Sequence, residues 1–289
     1  EEIPDWVCCG STPAHASNAA LAVALPVVNL QKAQSAGLPV MAACASCYAR
    51  LRTANHKVRS SPEDREQAER TTGKPYDGGV EVHHVLDVLV NHFGLEKIAA
   101  KVRRRLRGLR VACYYGCLLT RPPEIVAFDD AEHPHSMDDL IGAMGAEAVD
   151  WPFKTECCGA SLSMTSSSVV ARLGHRLLSM AHEAGAECIA VACPLCQVNL
   201  DLRQADAAKA AGKGDSPLLC EAPSGPSRQK GTVPFSGHGP FPATPVLYVT
   251  QLLGLALGLS DQDLGISALT IDAKALLGDR GLAAATGGQ

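Results

Sequence analysis

Two cysteine patterns, C-C-G and C-x-x-C, each occur twice in this chain of 289 residues, and the second pair keeps the spacing of the first. Cys9 stands 35 positions before Cys44, and Cys158 stands 35 positions before Cys193. Each copy continues as C-x-x-C, giving Cys44/Cys47 in "CASCYARL" and Cys193/Cys196 in "CPLCQVNL", so the whole set recurs 149 positions on. Coincidence does not put four motifs in register. The chain is two copies of one cysteine-bearing module, and its fold has to present these thiols twice in equivalent places.

The flanking sequence places the motifs on secondary structure. "AGLPVMAAC" and "AGAECIAVAC" both predict a helix stopped by glycine and then a buried strand. The helical stretches "YARLRTANHKV" and "QVNLDLRQADAAKAA" follow, so each C-x-x-C sits at a strand-to-helix junction. Another apolar strand, "RVACYYGCLL", ends in a Gly-Cys turn at Cys117, 40 residues before Cys157. Projected back by the repeat offset, Cys117 falls ahead of Glu1. The first module is therefore expected to lack a leading strand and a leading cysteine, and the opening "EEIPDW" carries no Met.

Strand–helix alternation makes the class α/β: two tandem, pseudo-symmetric modules with short, mainly parallel sheets flanked by helices. The first module covers residues 1–108. Its polar stretch "SSPEDREQAERTTGKPYDGG" predicts a helix and loop, and "HHVLDVLVNHFG" and "LEKIAAKVRRRL" predict helices. The second covers 109–289, with a helix opened by Ser136 and a long helix near 166–184. A Gly-, Pro- and Ser-rich segment at 212–245 is expected to be a disordered insertion, followed by a strand and helix in "PVLYVTQLLGLALGL".

Twelve cysteines in such a chain do not suit a secreted disulfide scaffold, which is usually shorter than about 80 residues and loop-rich. Their regular spacing points to metal or redox chemistry in a reducing compartment, here taken to be the cytoplasm. A net charge of -4 favours neither nucleic acid nor a membrane surface as a partner. No apolar stretch reaches the roughly 20 residues of a membrane-spanning helix.

A C-x-x-C at a helix start directs two sulfurs the same way, and the helix N-terminus favours thiolate. Alone it fits a redox dithiol, half of a zinc site or part of a cluster ligand set. The C-C-G pattern narrows the choice. Neighbouring residues in extended chain face opposite ways, so adjacent thiolates rarely chelate one small ion, whereas a polynuclear cluster can accept both. The glycine allows positive φ or a close backbone approach. Module two offers five thiols, Cys117, Cys157, Cys158, Cys193 and Cys196, one more than a tetrahedral zinc or an ordinary cubane takes. Module one offers Cys8, Cys9, Cys44 and Cys47, for which a structural zinc site stays open.

Together, "DWVCCGSTPAHASN", "CASCYARL", "VACYYGCLLTRPPEIVAFDD", "SMDDLIGAMGAEAVDWPFKTECCGASLS", "VACPLCQVNLDLRQ" and "PVLYVTQLLGLALGL" resemble the heterodisulfide reductase B-subunit family, built from two cysteine-rich CCG domains. The resemblance covers nearly all of the chain outside 212–245. It implies a non-cubane 4Fe-4S cluster on five cysteines in each domain. Cys117, Cys157, Cys158, Cys193 and Cys196 match one complete set, and Cys8, Cys9, Cys44 and Cys47 match four of the other five. It further implies cleavage of a disulfide, such as that between coenzymes M and B, at a site flanked by the clusters. Electrons would arrive from partners like the iron–sulfur and flavin subunits of such complexes. It names no proton donor.

Two other functions remain open: an electron-transfer subunit of a lactate-, glycolate-, succinate- or quinone-coupled complex, and a zinc-stapled scaffold. The former often carries C-x-x-C-x-x-C cubane motifs, and this chain has none. Cys113 and Cys188 lie in apolar strands and read as buried small hydrophobes, and Cys220 as a free thiol in the insertion. His83, His84, His92, His133 and His135 read as ordinary histidines, because no Cys or carboxylate pattern completes a site with them. "KVRRRLRGLR" reads as a solvated helix face, and "TRPPE" as a rigid turn fixed by Pro122 and Pro123.

Overall fold

The computed structural model describes residues 1–210 and 241–282. The strands among them run parallel in two sheets. β1 (Val40–Ala42) pairs with β2 (Val82–His84), Val40 opposite Val82 and Ala42 opposite His84. The second sheet contains β3 (Arg110–Tyr114), β4 (Glu147–Ala148), β5 (Cys188–Val191) and β6 (Val246–Tyr248), in the order β4-β3-β5-β6. Parallel strands need crossover helices, and those helices cover the sheet faces. That is why β5 is a continuous apolar run, buried at all four residues, rather than an alternating one. The fold is α/β with short parallel sheets flanked by helices, as the sequence patterns predict.

The internal repeat is visible in the backbone. Helix Ala19–Ala36, β1 and helix Ala45–Ser60 correspond to helix Ser167–Glu183, β5 and helix Pro194–Leu202. Cys44 and Cys193 cap the equivalent helices with almost the same dihedrals, φ -136° and ψ 124° against φ -137° and ψ 120°. The first sheet matches only the β5–β6 half of the second. No counterpart of β3 or β4 occurs among the described residues of 1–108.

The two halves share one hydrophobic core, which runs from Val23 to Leu282. "TRPPE" contributes to the junction. Its short helix Pro123–Val126 presents Ile125 O to Arg52 Nε at 2.8 Å and Val126 O to the buried Tyr48 hydroxyl, both donors lying on helix Ala45–Ser60.

Helix Ser136–Ala143 starts at Ser136, as the sequence predicts. Asp129 takes the Ser136 N–H at 2.9 Å, and the Tyr115 hydroxyl takes that of Met137 at 2.7 Å. These tertiary acceptors satisfy orphan donors of the first turn. Other local expectations need correction. The basic run does not form a helix face. Helix Leu95–Lys101 ends at Lys101, and both the Arg103 and Arg104 amides donate to Ala256 O at 2.9 Å. Leu106 and Leu109 are fully buried, so the chain turns inward to anchor β3 and cannot stay on the surface. "HHVLDVLVNHFG" is divided between β2, a short turn at Val85–Asp87 and a π-helix at Val88–Gly94. Of the proposed insertion, 212–240 and with it Cys220 lie outside the described residues. Its end, 241–245, is packed. Thr244 is buried, and its backbone exchanges two hydrogen bonds with the Gln204 amide, at 2.6 and 2.9 Å.

Candidate functional site

Each C-C-G turns on its glycine. Gly10 and Gly159 share φ 78°, the left-handed region that L side chains rarely adopt. A Cβ on Gly10 would lie 2.6 Å from Ala14 Cβ, and one on Gly159 would lie 2.9 Å from Leu173 Cδ1. The turn sends the second thiol of each pair inward and leaves the first outside: Cys9 and Cys158 are buried, Cys8 and Cys157 exposed.

Side chains strap these loops to the scaffold. Asn29, on helix Ala19–Ala36, pairs with both backbone groups of Val7, at 2.9 and 2.8 Å. Asn199, on helix Pro194–Leu202, donates to Cys158 O at 2.8 Å. The Tyr114 hydroxyl donates to Glu156 O at 2.7 Å, and Lys154 O accepts from the amides of Tyr115 and Gly116 at 2.9 and 3.0 Å. Gly116 and Cys117 are thereby drawn against the second C-C-G loop.

The sulfurs then meet across the module boundary. Cys9 Sγ lies 3.2 Å from Cys47 Sγ, and Cys158 Sγ lies 3.5 Å from Cys196 Sγ. Cys47 interacts with Cys44, and Cys196 with Cys193. The Cys44 and Cys193 thiols, one from each module, are near enough to shift each other's ionisation. Six thiols, those of Cys9, Cys47, Cys44, Cys193, Cys196 and Cys158, are thus linked by neighbouring pairs into one line. Cys117 and Cys157 form a further pair at 3.8 Å. Cys8 is exposed, and no sulfur contact joins it to the others among the described residues. All eleven described cysteines are free thiols.

Their ionisation reflects this crowding. Cys9 is lowered to about 6, first by the Cys47 thiol beside it and further by the charge of Arg50. Cys157 is lowered to about 6 by Cys117, and Cys193 to about 2 by Cys196 and Cys44. Their partners move the opposite way. Cys44 is pushed up to about 11, chiefly by Cys193, and Cys47, Cys117 and Cys196 are also raised. A thiolate next to a thiol is what closely spaced sulfurs adopt without a cation to neutralise them. Among the described residues, no three cysteine sulfurs lie within 4.8 Å of one another.

A cavity of about 180 Å³ opens on this arrangement. All five module-two motif cysteines line it, together with Thr12, Ala45 and Arg50 of module one. Five cysteine sulfurs around one cavity that can admit a polynuclear group fit an iron–sulfur cluster by donor number and softness. Arg50 Nε is buried with no hydrogen-bond partner among the described residues, and its charge acts on both Cys9 and Cys117.

Three residues at the site escape a motif search. The Tyr248 hydroxyl bonds Ala43 O and, at 3.0 Å, Ala192 O, the carbonyls immediately before Cys44 and Cys193. His84 is fully buried; its Nδ1 accepts from the Leu86 amide at 3.2 Å, so its Nε2–H donates to Ala192 O at 3.0 Å. Arg50 is the repeat counterpart of Asn199, 149 positions earlier, and only that offset signals it. Cys113 and Cys188 are fully buried in β3 and β5, away from the sulfur line, and burial raises both, Cys188 to about 12. His133 and His135 stay outside the cavity, and exposed His135 pairs with Asp139 at 2.7 Å. The expectation that no carboxylate joins His83 and His92 is wrong. Asp87 Oδ2 lies 2.9 Å from His83 Nδ1 and 3.8 Å from His92 Nε2.

The family model for the CCG cysteine-rich domain matches residues 2–52 and 111–201. The B subunit of the ferredoxin:CoB-CoM heterodisulfide reductase of Methanosarcina mazei is 30% identical over 272 residues, covering 92% of this chain and 81% of that protein. The chain belongs to the heterodisulfide reductase B-subunit family. The 8-methylmenaquinol:fumarate reductase membrane anchor subunit of Wolinella succinogenes is 29% identical over 276 residues, covering 95% of this chain and 87% of that protein. A solved structure of a hypothetical protein from Helicobacter pylori is similar in fold, with a TM-score of 0.66 at 12% identity, covering 93% of this chain and 45% of that one. This member of the heterodisulfide reductase B-subunit family contains no helix, among the described residues, that is long and apolar enough to cross a membrane.

Proposed function

We propose that this chain is an iron–sulfur redox subunit that reduces a disulfide between its two cysteine nests. The observation that carries the proposal is the sulfur line crossing the module boundary at Cys44 and Cys193, beside a cavity lined by five cysteines. Cys117, Cys157, Cys158, Cys193 and Cys196 would hold one 4Fe-4S cluster, and Cys8, Cys9, Cys44 and Cys47 would contribute to a second. The division at residues 108/109 and the non-cubane geometry belong to the same proposal.

Bound clusters supply one-electron transfers, and two of them supply the pair that a disulfide consumes: RSSR′ + 2e⁻ + 2H⁺ → RSH + R′SH. The protein's own contribution is positional and electrostatic. The C-C-G turns, which bury Cys9 and Cys158, and the Asn29 and Asn199 straps fix the thiols. Arg50 and the helix N-termini behind Cys44 and Cys193 offset their negative charge. Tyr248 and His84 hold the two C-x-x-C loops together. The electrons would come from partners like the iron–sulfur (C-type) and flavin (A-type) components of heterodisulfide reductase complexes, and the location would be cytoplasmic. Leu195, Val198 and Leu202, exposed on the helix that begins at the second C-x-x-C, offer an apolar face for such a partner.

The similarity to a fumarate reductase component supports a second reading, in which the same clusters relay electrons to a partner and no disulfide is cleaved here. The deciding assay is oxidation of reduced viologen by the anaerobic, cluster-loaded complex, with and without candidate disulfides. Disulfide-dependent oxidation supports the first reading, and a cluster-loaded complex indifferent to every disulfide supports the relay. Zinc without iron in both nests would overturn both readings in favour of a scaffold.

A further inference from the structure

A second metal-type constellation lies away from the cysteines. His83, Asp87 and His92 place their ligand atoms within 4.8 Å of one another, a group that no motif in the sequence marks. Backbone geometry brings them together. His83 lies in β2, and the turn at Val85–Asp87 brings Asp87 back to within 2.9 Å of it. Asp87 and His92 are five apart, which on an α-helix leaves them about 140° out of phase. The π-helix at Val88–Gly94 narrows that phase difference, because its wider turn with i→i+5 bonding brings residues five apart closer to one face. The His83 and His92 rings pack edge to face with centroids 4.4 Å apart, and Asp87 Oδ2 faces a ring nitrogen of each.

The surrounding polar groups are those a metal site needs. Asn91 Nδ2 donates to Asp87 Oδ1 at 2.8 Å, which occupies one carboxylate oxygen and leaves Oδ2 toward the histidines. Glu81 Oε2 lies 3.6 Å from His83 Nε2, on the ring edge opposite Asp87. Asp87 Oδ2, a carboxylate oxygen, accepts from His83 Nδ1 at 2.9 Å, so an ion binding between them would displace that proton. Tetrahedral ligands at about 2.0–2.1 Å from an ion stand roughly 3.4 Å apart. The 2.9 and 3.8 Å separations straddle that value. Asp87 is mostly buried, with its side chain 12% exposed, while His92 is 53% exposed, so the site is anchored within and open on one side.

We propose that His83, Asp87 and His92 bind one divalent transition-metal ion of the zinc class, with water completing the coordination, independently of the cysteine nests. Two imidazoles and a carboxylate suit zinc, cobalt(II) or nickel(II). Calcium and magnesium need more oxygen ligands, and copper(I) would prefer the thiolates.

The test uses the full chain, cluster-loaded and anaerobic, titrated with zinc sulfate and followed by elemental analysis and zinc K-edge absorption. The expected result is one zinc with nitrogen and oxygen neighbours at about 2.0–2.1 Å and no sulfur shell near 2.3 Å. His92→Ala and Asp87→Asn should each weaken that binding by at least about tenfold, and Asn91→Ala by roughly tenfold, with iron content unchanged. Unchanged iron shows that the variants fold. Zinc seen only with sulfur neighbours, or equal zinc affinity in His92→Ala and wild type, overturns the proposal. Because the readout is the sulfur-free zinc, failure of the iron–sulfur reading leaves this outcome legible.

Discussion

Replacing His84 by glutamine separates the hydrogen bond of this side chain from its charge. Burial pushes the His84 pKa down to about 4, against the pull of the Ala192 carbonyl that its Nε2–H contacts. An exposed histidine titrates near 6.5, so the unfolded chain binds a proton that the folded chain refuses between about pH 6.5 and pH 4. Stability from this group is therefore fully present above the unfolded pKa and is lost as pH falls toward the folded one. With those two pKa values, linkage gives a loss of about 2 kcal/mol between pH 7 and pH 5, and about 3 kcal/mol by pH 4. Glutamine can place its amide nitrogen where Nε2 stands and does not titrate. Anaerobic urea titrations of wild type and His84→Gln at pH 7 and pH 5, followed by far-ultraviolet ellipticity with chelator present, measure the difference. The variant should lose about 2 kcal/mol less than wild type over that interval. Equal losses in both proteins would refute the assignment of His84 as a buried neutral ring.

Two further substitutions test the frame of the cysteine loops. Gly159→Ala forces a side chain into positive φ and puts its Cβ 2.9 Å from Leu173 Cδ1. The strain alone costs about 1–2 kcal/mol, so the thermal midpoint should fall by several degrees and iron in the second nest should drop; an unchanged midpoint counts against the tight turn. Asn199→Ala leaves the Cys158 carbonyl without its side-chain donor, which costs about 1–3 kcal/mol, and the electron paramagnetic resonance line shape of the reduced protein should broaden if the strap positions Cys158.

Much of this organisation is legible in the sequence, because repetition is a one-dimensional property. The C-C-G and C-x-x-C offsets identify the two modules, and the glycine in each C-C-G allows the positive φ observed at Gly10 and Gly159. Apolar runs before the C-x-x-C motifs give β1 and β5; β5 is covered on both faces, whereas β1 leaves Met41 57% exposed, which its apolar run does not reveal. The errors have a shared cause. "HHVLDVLVNHFG" reads as a helix, but β2 takes its start and a π-helix its end. "KVRRRLRGLR" looks like a polar helix, but the need to bury Leu106 and Leu109 ends the helix at Lys101. Local propensity is worth tenths of a kcal/mol per residue, and a tertiary contact easily outweighs it.

The sequence by itself determined how many thiols each half carries and the backbone turn on which each C-C-G is built. Those are matters of spacing and of which residue tolerates which φ. Only the tertiary structure decided that Cys44 meets Cys193, since 149 residues separate them and nothing local records which faces of two modules pack together. The same holds for Arg50 between Cys9 and Cys117, and for Tyr248 tying the carbonyls of Ala43 and Ala192. His92 belongs with Asp87 for a subtler reason. One widened helical turn changes the phase of every residue after it, and a sequence periodicity tuned to 3.6 residues per turn cannot register that change.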